Sequence, residues 1–62
     1  MQAWIVKHKR EVGKFLHAMD SGGTHAFLFP FVYPHQEAAA ATVNEAKRPD
    51  DWRVVEVEIT EK

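Results

Sequence analysis

AFLFPFVYPHQEAAAATVNEAK, Ala26 to Lys47, decides how this chain folds: an aromatic run passes through Pro30 and Pro34 into the one strongly helical stretch of the sequence. Between Pro34 and Pro49 nothing breaks a helix, and Ala38 to Ala41 have the highest intrinsic helix propensity, so the pattern predicts a helix over about residues 35–47. Pro34 suits its start, and Pro49 disfavours helical geometry at Arg48 and stops it. Glu37 near the start and Lys47 and Arg48 near the end complement the helix dipole. Ala39, Val43 and Ala46 share a face at helical spacing, with Ala38, Ala41 and Thr42 at its margins. So thin an apolar stripe removes little area from water, and such a helix is stable only when docked against something larger.

Working outward, Phe27, Phe29 and Phe31 alternate with Leu28 and Val32 as in a strand covered on both sides. Pro30 cannot donate to a ladder, which confines the paired part to Ala26 to Phe29, at an edge or an end. Upstream, Gln2 to Lys9 is rich in strand formers, and Arg10 to Gly13 reads as a tight connection with Gly13 at positive φ. Lys14 to Met19 returns as the second arm of a hairpin, and Asp20 to Thr24 is a loop by composition. Downstream, Arg48 to Asp51 is a turn and Trp52 to Thr60 the clearest strand. Within it Val55, Val57 and Ile59 form one face, assigned here to the core, and Trp52, Val54, Glu56 and Glu58 form the other.

The predicted architecture is a single α+β domain, residues 1–62, in two layers. One helix packs on one face of a three- or four-stranded, mainly antiparallel sheet, with the last strand beside the first. A chain this short buries a small fraction of its surface, and with no cysteine it has neither disulfides nor thiolate metal sites to support it. Tight packing, a ligand or a second copy must do so, which makes a homodimer an expectation. The formal charge is −1, unevenly spread: residues 1–31 carry four cations against two carboxylates, residues 32–62 four against seven. No amino-terminal apolar run reads as a signal sequence, because Lys7, Lys9 and Arg10 interrupt it, and the apolar stretch Ala26 to Tyr33 is far short of a span of about 20 residues. A cytoplasmic protein, not a membrane protein, is expected.

A starting strand, a turn closing with Gly13-Lys14-Phe15-Leu16, an Ala-x-Leu-Phe segment at Ala26 to Phe29, the alanine-rich helix and a closing Trp-Arg-Val-Val-Glu-Val-Glu-Ile strand at Trp52 to Ile59 resemble many small uncharacterised proteins of bacteriophages and prophages. The likeness runs through nearly the whole chain but lies in structural motifs, and the aromatic insert FPFVYPH departs from it where those proteins enter the helix through a short polar segment. The resemblance implies a protein of a bacterial cytoplasm that binds and blocks a host protein, for instance as an anti-CRISPR or other counter-defence inhibitor. It assigns no functional residue.

The residues that carry chemistry read mostly as structure. His8, His17, His25 and His35 lack the short ligand spacing of a metal site, and His8 and His17 could meet only diagonally across the hairpin. Ser21-Gly22-Gly23-Thr24 lacks the Gly-Lys-Ser/Thr ending of a phosphate loop, and Ser21 has no recognisable base or elbow for a hydrolase. Glu56 and Glu58 lie together as solvated carboxylates. No enzymatic activity, cofactor or metal is therefore predicted. The predicted function is protein binding through the helix-free sheet face, carried by Trp4, Trp52, Val54, Glu56 and Glu58, with an open strand edge as the other available surface. On this reading Trp52→Ala abolishes partner capture and leaves the fold intact. The alternative is nucleic-acid binding by the basic hairpin, with Lys7, Lys9, Arg10 and Lys14 on phosphate and Trp4 or Phe15 stacking a base. The acidic half of the chain weighs against it.

Overall fold

Alternating apolar and polar residues, which project to opposite sides of an extended chain, build a four-stranded antiparallel sheet in the computed structural model, which describes residues 1–20 and 22–60. The strands are β1 (Gln2–His8), β2 (Phe15–Ala18), β3 (Thr24–Phe27) and β4 (Trp52–Glu58), in the order β3-β2-β1-β4. The single helix α1 (Gln36–Glu45) packs on one face of the sheet. The last strand lies beside the first, from Gln2 opposite Glu58 to His8 opposite Trp52.

The helix is bounded as its sequence predicts, one to two residues inside each expected limit. His35 is its N-cap and Ala46 its C-cap, so Pro34 stands just outside, and Pro49 opens a 3-10 turn, Pro49–Asp51, that leads into β4. Ala39, Thr42 and Ala46 are buried, Ala38 and Val43 half-buried, and Ala41 is exposed. Thr42 can lie in the interface because its hydroxyl donates to the Ala38 carbonyl at 2.9 Å, leaving no unpaired polar atom. Ala39 is 0% exposed at the closest approach of helix and sheet. Ala39→Leu is therefore expected to lower stability by about 1–3 kcal/mol, read as a shift in the urea midpoint, because the added methylenes have no space.

β3 differs from its expected position. It pairs Phe15 with Phe27 and Ala18 with Thr24, two residues upstream of the predicted Ala26 to Phe29. The reason is the turn before it: Gly22 and Gly23 both take φ near +85°, and Met19 and Gly23 close the hairpin through a hydrogen bond of 3.1 Å, so Thr24 already belongs to the ladder. Ser21, within the predicted loop, lies outside the described residues.

The core assignment made from the last strand is inverted. The buried cluster is Val6, Leu16, Tyr33, Ala39 and Ala46, with Trp4, Ala38, Val43, Trp52 and Val54 packed against it. Trp52 and Val54 thus lie under the helix, and Val55 and Val57 are on the open face. The alternation was read correctly and its direction wrongly. The physical reason is burial: both sides of β4 carry apolar residues, and the indoles of Trp4 and Trp52 remove more apolar area from water against the helix than the valine side chains would.

One further residue holds the sheet together. β2 pairs with β1 only around Lys7 and Phe15, where the His8 N–H donates to the Lys14 carbonyl at 2.9 Å, and then diverges. Tyr33 occupies the gap. Its backbone exchanges hydrogen bonds of 2.9 and 2.7 Å with Trp4 on β1, while its hydroxyl accepts from the Ala18 N–H of β2 at 3.2 Å and approaches the Leu16 carbonyl at 3.5 Å.

Candidate functional site

With one helix over one side, the sheet leaves its other side open, and the molecule is a slab 36 × 24 × 16 Å. Strand alternation places Ala3, Ile5 and Lys7 of β1, Phe15 and His17 of β2, His25 and Phe27 of β3, and Arg53, Val55 and Val57 of β4 on this helix-free face. None of these is a carboxylate. Ile5 stands directly opposite Val55 and Ala3 opposite Val57, giving an aliphatic strip along the β1–β4 side of the sheet.

Beside the strip lies an aromatic cluster. His17 is only 7% exposed because Phe27, Phe29 and Phe31 surround it, with ring centroids 4.2, 5.1 and 5.6 Å away. Its Nε2–H donates to the Phe29 carbonyl at 2.8 Å, which fixes the tautomer and anchors the aromatic segment to the face. The outer sides of that segment stay in water: Phe29 is 60% and Phe31 50% exposed. Apolar side chains exposed in one continuous region, as here, mark an interaction surface more often than scattered ones do.

The charged strand residues of this face lie at one end. Lys7 and Arg53 are directly opposite each other, and among the described residues neither meets a carboxylate. The rest of the predicted basic hairpin is less available. Arg10 donates to Asp51 at 2.8 Å, and Lys14 pairs with Glu11 at 2.8 Å, a hydrogen bond that holds the Glu11 carboxyl below its ordinary range. Lys9 is exposed, and Trp4, the proposed stacking ring, is under the helix.

The residues expected to bind a partner are therefore divided. Trp4, Trp52 and Val54 are helix-side packing residues, a correction that follows from the inverted face. Glu56 and Glu58 are exposed and, with Gln2 and Val57, line a shallow cleft of about 330 Å³ at the far end of β1 and β4. Sequence reasoning named Phe15 as a stacking ring and missed Ile5, Phe27, Phe29, Phe31, Val55 and Val57. The available signal was that the set alternating with Lys7 and Arg53 contains no Asp or Glu in any strand.

Two of the four histidines, His8 and His17, are held by hydrogen bonds and ring packing, and His25 and His35 are exposed. His8 Nδ1 accepts from the Arg10 and Glu11 N–H groups at 3.1 and 3.0 Å and closes the β1–β2 turn, while its ring meets Trp52 edge-on at 4.9 Å. His8 and His17 point to opposite faces and do not converge. Among the described residues no cluster of three or more His, Asp or Glu side chains is placed to hold a metal, and no helix is long and apolar enough to cross a membrane.

Comparison with known proteins gives no match to a family model, a curated protein or a solved structure.

Proposed function

We propose that the protein is a non-enzymatic protein-binding module whose working surface is the helix-free sheet face. The observation that carries this reading is a continuous strip of Ile5, Val55 and Val57 joined to Phe15, Phe27, Phe29 and Phe31, with no carboxylate among the strand residues of that face. Interface centres are depleted of charge and enriched in aromatic residues, and binding energy concentrates where large rings are desolvated. The resemblance to small phage and prophage proteins adds the role: such a face would occupy and block the surface of a host protein.

The test is a photo-crosslinking amino acid placed at Phe29 or Val57, with exposed Glu37 of α1 as the control. Protein adducts from the two sheet-face positions and none from position 37 are expected. Equal labelling from all three, or none from the face, would sink the reading. Retention of labelled single-stranded oligonucleotide that fell steeply with salt would instead give the face to nucleic acid, with Lys7 and Arg53 on phosphate and the phenylalanines on bases.

A further inference from the structure

We infer that the occupant of this face is a second copy of the chain, docked sheet against sheet about a twofold axis. The inference rests on the proposed binding role of the helix-free face and gives that face a second copy in place of a host protein. Three observations carry it.

The first is area. A compact monomer of 7.1 kDa exposes about 4,100 Å², whereas this chain exposes 4780 Å². The excess of about 700 Å² is close to the roughly 800 Å² that each partner contributes to a standard interface. Phe29 and Phe31, 60% and 50% exposed beside the strip, are part of that excess.

The second is stability. Among the described residues the buried helix-side cluster is Val6, Leu16 and Tyr33 with two alanines, and both tryptophans are only half-buried against it. No disulfide supports it. A domain of this size needs help from outside its own core. A second copy is one such support.

The third is charge. Lys7 and Arg53 mark one end of the β1–β4 strip, and Met1 and Ile59, joined by a backbone hydrogen bond of 2.8 Å, mark the other. Antiparallel stacking places each Lys7–Arg53 pair at the partner's Met1 end, where a single α-ammonium donates to the Ile59 carbonyl at 3.2 Å, so three cations share an end instead of four. The two cation pairs are then separated by the length of the strands, about 20 Å, beyond the screening length of about 8 Å. Parallel stacking would superimpose four cations. The face thus selects one orientation, with the strands of the two sheets roughly aligned, the sheets about 10 Å apart and both helices outside.

Sedimentation velocity of the full chain from about 1 μM to about 1 mM tests this. A concentration-dependent dimer is expected, with a melting temperature that rises by about 5 °C for each tenfold increase in concentration. Val57→Lys places a charge in the aliphatic strip at the end that meets the partner's Lys7 and Arg53, and should weaken association about 30-fold or more, with far-ultraviolet dichroism and tryptophan emission of the monomer unchanged. Phe29→Ser, outside the strands, should weaken it in the same direction and covers the case in which Val57→Lys does not fold. Glu56→Pro removes a donor from the open edge of β4 and should leave the dimer intact. A chain monomeric throughout the range overturns the inference. So does a dimer lost in Glu56→Pro but kept in Val57→Lys, which would be an edge-paired dimer. A monomer whose face still crosslinks to another protein leaves the binding role standing, whereas a monomer with no crosslinks removes both.

Discussion

Tyr33→Ala is expected to leave the chain largely unfolded at room temperature. Tyr33 is buried and closes the breach between β1 and β2, and truncating a large buried side chain costs about 3–5 kcal/mol, comparable with the whole stability of a small domain. Its ring lies against the core cluster and its hydroxyl holds the Ala18 N–H, a group that faces β1 across a gap too wide for a direct bond. Tyr33→Phe separates the two contributions. It keeps the ring and leaves the Ala18 N–H without its partner, for an expected loss of about 1–3 kcal/mol. Urea unfolding followed by tryptophan emission measures both. Parent-like stability of Tyr33→Phe would show that the hydroxyl contributes nothing, and a cooperative, parent-like transition in Tyr33→Ala would show that β1 and β2 hold together without the wedge.

Trp52→Ala is expected to lower stability by about 3 kcal/mol, the opposite of what the sequence alone implies for this residue. Its indole lies under α1 beside Val54 and meets the His8 ring at 4.9 Å, so truncation opens a void between a helix face of alanines and the sheet. Those alanines cannot extend to fill it. A half-buried ring also retains some solvent contact, which places the loss at the lower end of the range for large aromatic deletions. Thermal melts of Trp52→Ala and Val57→Lys at low protein concentration form a matched pair, one on each side of the sheet. A melt unchanged in Trp52→Ala and lost in Val57→Lys would reverse the face assignment and with it the location of the binding surface.

Both results bear on function through the same geometry. The helix consumes the tryptophans, the residues that sequence reading offered as binding anchors, and leaves phenylalanine, isoleucine and valine to form the exposed surface. The open face is therefore aliphatic and aromatic, with Lys7 and Arg53 its charged strand residues among the described residues and the side chains of Glu56 and Glu58 turned toward the helix side.

The sequence by itself determined what is local. The helix between Pro34 and Pro49, the positive φ at Gly13, the period-two alternation of β1 and β4 and the adjacency of first and last strands all follow from propensity, proline and glycine stereochemistry and short connections. The tertiary structure decided what alternation cannot. Both faces of β1 and β4 carry apolar residues, so the pattern reads equally well with either face inward, and a helix of alanines gains more by packing on Trp4 and Trp52 than on Ile5, Val55 and Val57. Tyr33 was undetermined for a related reason. Its hydroxyl satisfies a strand 15 residues away in sequence, and nothing in the neighbouring residues records that partner. The open face, and the surface it offers to a second chain, follow from that long-range choice because covering one side of a two-layer domain leaves the other side to water.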